Sequence, residues 1–374
     1  VKPSYEFFAG VGMVRVGLGP NWPCSFANDF SPQKASVYAS NFGREHLVVR
    51  DIATITTSNL PGHAVLAWAS PPCVDLSEAG KQLGLSAPRS GAVWPFLRLM
   101  KGLRNEDRAP KTIIIENVPG WLSDKLVGDF IEVIEVLVAI RYRVSALMID
   151  AASFVPQSRL RLFIIAIDES VSIPDTMLGS FVDLGYPSDA IAKAYHRLPP
   201  RLQAQWLRWR LLEPSRRTTA LVDLLDLNAR NCAWEFSAAE TQRYLLMMDA
   251  ANVDRVAKAR ALGRPIAGPF ARRMRDVPGS NKRVQRVEVR FDGLVNALRF
   301  ARGGGSSKQF VMIVDGGQTK MRAIQPREAA RLMGLSDDFV LPNDPTAALS
   351  AMGDGVVTSV VKHIAEHILG PLLS

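Results

Sequence analysis

Short, mainly apolar runs, each closed by a polar or glycine-bearing turn, set the rhythm of the first half of the chain. Tyr5 to Phe8, Cys24 to Asp29, Leu47 to Val49, Ala64 to Ala69, Thr112 to Ile115, Tyr142 to Ile149 and Leu162 to Ile167 have the length of strands. In Ala64 to Ala69 and Thr112 to Ile115 the apolar residues are near-continuous rather than alternating, as in parallel strands covered on both faces. Between them, helical spacing predicts helices after Met13 (Val14, Val16, Leu18), from Pro32 to Asn41, from Ala92 to Leu103 and from Leu126 to Ile140. Strands alternating with helices predict an open α/β fold with a parallel sheet. From about Ser170 the regularity lapses, with Pro174, Pro187, Pro199-Pro200 and Pro214 marking irregular connections. A strand pair about Asp292-Gly293 is expected from Val287 to Arg299, and a strand from Gln309 to Val314 ends in the turn Asp315 to Gly317. Helical patterning returns at Pro326, where Glu328 complements the helix dipole, and again from Val357 to about Leu369.

Charge divides the chain differently. The net charge is +9 and arginine crowds residues 197 to 302, whereas the first half is nearer neutral. A basic module attached to a neutral α/β module follows, with a polyanion as the expected partner. A length of 374 residues suffices for two domains, and 47% hydrophobic content excludes a disordered chain. No apolar run is long enough for a bilayer, and no basic-then-apolar leader opens the sequence, so a cytoplasmic protein with no membrane partner is expected. Cys24, Cys73 and Cys232 lie far apart and are odd in number, which predicts neither disulfides nor a metal site. Trp206, Trp209 and Trp234 are expected in the core.

The candidate chemistry gathers at the ends of the apolar runs, where open α/β sheets hold their ligands. Cys73 follows the break at Pro71-Pro72, and is either a nucleophile or a small buried hydrophobe. The turn Ala9-Gly-Val-Gly12 lets backbone approach a ligand closely. Asp29, roughly 20 residues further on, suits either a ribose or the cap of the next helix. Asp51 either accepts from an exocyclic amine or serves a turn. Glu116 ends a run of isoleucines, where low dielectric raises a carboxyl pKa as a proton donor requires; a structural ion pair is the alternative. Alternation puts Gln157, Arg159 and Arg161 on one side, toward an anionic or carbonyl-bearing target or, alternatively, each toward a surface acid. The loop Gly303 to Lys308 is either a reader of phosphate or base edges or a plain flexible hairpin.

With these residues in order, the chain resembles the DNA cytosine-5 methyltransferases of bacteria and phages along nearly its whole length. Glu6-Phe-Phe-Ala-Gly-Val-Gly12, Pro72-Cys73 continuing to Ser77, Glu116-Asn117-Val118, Gln157 to Arg161, Pro326 to Leu332 and Gly353 to Val356 match the family's motifs in its order. The resemblance implies a Rossmann-like class I methyltransferase sheet with helices on both faces, plus a smaller, irregular, β-rich target-recognition domain. The catalytic domain would span 1–190, completed by 343–374, with the recognition domain and a hinge helix at 191–342. It implies methyl transfer from S-adenosylmethionine, leaving S-adenosylhomocysteine, to C5 of a cytosine flipped out of double-stranded DNA, with no metal. Cys73 would add to C6, Glu116 would protonate N3, and Arg159 and Arg161 would hold the ring's carbonyl side and a phosphate. Phe8, Gly10, Val11, Gly12, Asp29, Asp51, Ile52, Pro71, Val93, Asp354 and Val356 would surround the donor. Ser77, Gln157, Arg302, Gly303, Gly304, Gly305, Ser306 and Lys308 would meet DNA. A monomer within a restriction-modification system is expected. An RNA (tRNA) cytosine-5 methyltransferase and a non-catalytic DNA-binding paralogue are the alternatives. Three departures stand out: Glu6 where aspartate is usual, Val74 where glutamine is common, and Asp354 in place of asparagine.

Overall fold

The computed structural model describes residues 2–72, 90–179, 189–211, 213–215, 217–227, 232, 234–277, 279, 281–299 and 308–373. Cys73, Ser77 and Arg302 to Ser306 lie outside these residues. The chain divides into two compact units, one of residues 1–150, 160–215 and 356–374, the other of residues 151–159 and 216–355. Residues 191–215 thus fall in the first unit, and 151–159 and 343–355 in the second.

The first unit is built on a seven-stranded sheet in the order β3-β2-β1-β4-β5-β8-β6. Its strands are β1 (Ser4–Phe7), β2 (Cys24–Asp29), β3 (Leu47–Val49), β4 (Leu66–Ala69), β5 (Thr112–Asn117), β6 (Tyr142–Asp150) and β8 (Leu160–Asp168). Neighbours from β3 to β5 run parallel, and β8 is antiparallel to both strands beside it. Every residue of β1, β4 and β5 is buried, so both faces of the sheet centre are covered. Helices α1 (Met13–Leu18), α2 (Pro32–Phe42), α3 (Val93–Asn105) and α4 (Val127–Ala139) alternate with the strands. On α3, Val93, Phe96, Leu97, Met100 and Leu103 form the buried stripe, and the Phe96 ring lies 5.1 Å from that of Phe7. Helices α5 (Asp189–Arg197) and α6 (Pro200–Gln203) follow, and Trp209 is buried with its indole donating to Ser145.

The second unit holds an antiparallel sheet in the order β10-β9-β12-β13, made of β9 (Ile266–Asp276), β10 (Arg283–Val289), β12 (Phe310–Asp315) and β13 (Gln318–Ala323). Helices α7 (Ala238–Leu246) and α8 (Ala250–Ala261) accompany it, and Val256 and Ala259 of α8 share a core with Phe270, Val287, Val289, Met312 and Val314. The expected turn at Asp315 to Gly317 joins β12 to β13. The expected strand pair about Asp292-Gly293 is not formed. Asp292 accepts from the Leu294 amide and Gly293 has φ +77°, so the chain does turn there. The segment after the turn, β11 (Val295–Asn296), pairs instead in parallel with β7 (Gln157–Ser158), while β10 takes β9 as its partner.

Helices α9 (Pro326–Leu332) and α10 (Pro345–Asp354) also belong to this unit. Glu328 does more than complement a dipole. Its carboxylate accepts from the Gln325 amide and from both Nη atoms of Arg322, at 2.6 and 2.7 Å, in a pair almost wholly buried. Helix α11 (Thr358–Ile364) returns to the first unit and packs on α1 at Gly17. A Cβ on Gly17 would sit 2.5 Å from the Thr358 carbonyl oxygen and from Val361 Cβ, so only glycine permits this approach. Among the described residues no helix is long and apolar enough to cross a membrane.

Candidate functional site

The end of β1 turns abruptly. Phe8 has φ +58°, an unfavourable region for an aromatic residue, followed by Gly10 at +58° and Gly12 at +90°. The Gly12 amide donates to the Ala9 carbonyl, and α1 starts at the next residue. A Cβ on Gly12 would strike the Phe42 ring at 2.3 Å, whereas one on Gly10 would meet nothing within 4 Å. Gly12 therefore answers both a backbone and a packing demand; Gly10 leaves open space in front of the turn. Beneath it, burial pushes the Glu6 carboxyl up to about 8, with the Arg15 guanidinium pulling the other way.

Asp29 braces this turn. Its Oδ2 accepts from the Gly10 amide at 2.9 Å and its Oδ1 from the Ser31 amide at 2.8 Å. The cap of α2 is Ser31, whose hydroxyl accepts from Lys34, so the capping alternative for Asp29 is replaced by a bracing role. Phe30, the next residue, is a missed candidate: its ring is 65% exposed beside a carboxylate at a strand end. An aromatic side chain immediately after the strand-terminal acid was the signal available in the sequence. Asp51 caps a single helical turn over Ile52–Thr54 by accepting from the Ala53 amide at 2.8 Å, and Ile52 itself is buried.

The neighbouring strand ends carry the rest. β4 and β5 pair through Ala69 and Ile115, which brings Pro71 beside Asn117. Asn117 Nδ2 donates to the Pro71 carbonyl at 3.2 Å, inside the protein. The segment that leads into Pro72-Cys73 is thereby tied to the strand that carries Glu116. Glu116 is 8% exposed, and Arg161 Nε lies 3.3 Å from its Oε1. Val93 is fully buried at the start of α3. Burial pushes the Cys24 thiol up to about 12 and raises that of Cys232, the reverse of what a nucleophilic thiolate needs. Among the described residues no group of His, Cys, Asp and Glu is arranged to hold a metal.

Gln157 and Arg159 belong to the second unit, apart from the assignment of Arg161 to the first. Gln157, expected at DNA, is buried, with Nε2 donating to the Leu332 carbonyl and Oε1 accepting from the Leu298 amide. Arg159, expected at the base, is 3% exposed and donates to the carbonyls of Leu298, Gly353 and Gly355 at 3.0, 2.9 and 2.6 Å. It thus locks the closing motif to its own unit. Arg159→Met is expected to lower stability by about 3 kcal/mol, because three carbonyls, two of them buried, lose a charged donor. Urea unfolding measures this, and a change below about 1 kcal/mol would refute the locking role. Asp354 is exposed at the end of α10, whereas Val356 is buried in the first unit. Lys308 lies 4.0 Å from the centre of the Trp234 ring.

Residues 4–370 match the sequence profile of a family described as C-5 cytosine-specific DNA methylase. The type II methyltransferase M.HhaI of Haemophilus parahaemolyticus is 23% identical over 366 residues, which covers 97% of this chain and 93% of that protein. M.MspI of Moraxella is 22% identical over 366 residues, 97% of this chain and 69% of that one. Among solved structures, the Dnmt2 methyltransferase of S. pombe shares the fold with a TM-score of 0.58 at 16% identity, covering 100% of both chains. A putative DNA modification methyltransferase from an E. coli prophage does so at 0.59 and 16%, again with 100% of both chains covered.

Proposed function

The chain belongs to the family of C-5 cytosine-specific DNA methylases, and from that premise we propose that it methylates a flipped-out cytosine in duplex DNA through a transient Cys73 adduct, with S-adenosylmethionine as donor. The observation that carries this reading is the Asn117–Pro71 hydrogen bond, because it couples the approach to Cys73 with the strand end bearing Glu116. C5 of cytosine is too weak a nucleophile to take a methyl group unaided. Addition of the Cys73 thiolate to C6 makes the ring an enamine that is nucleophilic at C5. Glu116 supplies a proton to N3 as that charge develops, with Arg161 orienting its carboxyl. After transfer the C5 proton passes to solvent and the N3 proton returns to Glu116, as the C6–sulfur bond breaks and Cys73 leaves as thiolate. Gln157 and Arg159 act as positioning residues.

The donor, when bound, supplies an electrophilic methyl sulfonium. The residues present fit it: Gly10 leaves space before the glycine turn, Phe8, Val11 and Gly12 shape that turn, and Asp29 fixes it. Phe30 offers an aromatic face, Asp51 and Ile52 an adenine edge, and Pro71 and Val93 a wall; Val356 is assigned to the same pocket. Ser77, Arg302 to Ser306 and Lys308 are assigned to DNA.

The reading is tested with a duplex carrying 5-fluorocytosine at a target first located by bisulfite sequencing. Fluorine cannot leave C5 as a proton does, so a covalent complex stable to denaturant is expected. Its absence on DNA that the protein otherwise methylates would overturn the covalent route. Methylation of tRNA with none of duplex DNA would overturn the substrate.

A further inference from the structure

Strand β9 outruns its sheet. Among the described residues β12 pairs with it only from Ile266 to Phe270, whereas β10 follows it to Asp276. Residues 271–276 and 283–288 therefore form a two-stranded ribbon continuing about 20 Å beyond the last residue shared with β12, by the rise of an antiparallel strand. Between residues 271 and 290 the sequence places seven basic side chains and two acids.

The register sorts these charges onto two faces. One carries Phe270, Arg272, Met274 and Asp276 opposite Val289, Val287, Gln285 and Arg283. That face is held: Phe270, Val287 and Val289 enter the core, Arg272 lies 5.4 Å from the Tyr244 ring centre, and Arg283 pairs with Asp276 at 3.3 Å. The other face sets Arg273 opposite Arg286 and Arg275 opposite Val284, with Glu288 one step nearer the sheet. Like charges directly opposite each other destabilise a ribbon. A single carboxylate serves both Arg273, at 3.3 Å, and Arg275, which donates from Nε and from Nη2, the latter at 2.8 Å. These guanidiniums remain about half exposed, so Glu288 fixes them without covering them. Its hydrogen bond from Arg275 holds the Glu288 carboxyl below the ordinary range. At the foot of the same face, Arg255, Arg290 and Asn296 line a cleft.

We propose that this ribbon enters the DNA major groove and that Arg273 and Arg275, braced by Glu288, each read a guanine. The proposal rests on the DNA methyltransferase reading above. A major groove about 12 Å wide admits two strands, and guanine presents O6 and N7 there as paired acceptors. Carboxylate bonding at the Nε edge of Arg275 leaves the Nη1–Nη2 edge to form that bidentate contact. Arg286 and Arg290 meet phosphates on either side.

Selection of bound duplexes from a randomised DNA library, in the presence of S-adenosylhomocysteine, tests the ribbon apart from catalysis. The selected motif is expected to contain guanines, and Arg275→Ala or Arg273→Ala is expected to erase one guanine preference each, with affinity for the wild-type motif falling about ten- to a hundredfold. Glu288→Gln should weaken the same preferences, and Arg286→Ala should lower affinity evenly while reducing the salt dependence. Thermal unfolding establishes that each variant is folded. A selected motif with no guanine besides the partner of the target cytosine, or one unchanged in both arginine variants, overturns the proposal, as does an even loss of affinity with the motif intact. Bisulfite sequencing of the same library reports methyl transfer separately: an unmethylated library together with a ribbon-dependent motif would sink the catalytic reading alone.

Discussion

Cys73→Ala is expected to bind its duplex as the wild type does and to lose methyl transfer by at least about four orders of magnitude. Alanine keeps the backbone and removes only the sulfur, so contacts with phosphate and base survive while C5 stays inert. Binding energy alone cannot replace the adduct, because it stabilises the resting base as much as the activated one. Radioactive methyl incorporation beside a binding titration measures both arms. Turnover within tenfold of wild type would end the covalent mechanism.

The second large effect separates the two roles open to Glu116. Glutamine has nearly the same shape and can still hydrogen-bond, yet it has no carboxyl proton to give. Glu116→Gln is therefore expected to lower kcat about 10²- to 10⁴-fold while the KM for DNA changes little. If Glu116 served only as the ion partner of Arg161, 3.3 Å away, the substitution would lower thermal stability and leave kcat near its original value. Steady-state kinetics together with a melting curve decide between them.

What the sequence disclosed, and what it concealed, follows from the range of the forces involved. Ala64 to Ala69 and Thr112 to Ile115 announce buried strands because a strand covered on both faces must be apolar throughout, a local property. Their ends, and hence the neighbourhood of Pro71 and Glu116, were legible for the same reason. The partners of Arg159 were not: the carbonyls of Leu298, Gly353 and Gly355 lie far along the chain and leave no periodic trace. Asp292-Gly293 carried a true turn signal, but strand pairing is settled by competition, and β7 and β9 outcompeted the local hairpin. The outer ribbon escaped notice because it buries little: alternating arginines read as charge rather than as strand. Asp29 shows that one carboxylate in one motif position can serve the backbone of a neighbouring loop directly.

The packing of α11 against α1 at Gly17 has a consequence for biosynthesis. A ribosome makes Gly17 more than three hundred residues before Val361, so the groove around Gly17 must wait, bare, while everything between is translated. An apolar groove left open that long is a natural client for a holdase chaperone. Stalling translation just short of α11 should therefore yield a nascent chain far more sensitive to protease than one stalled after it has emerged.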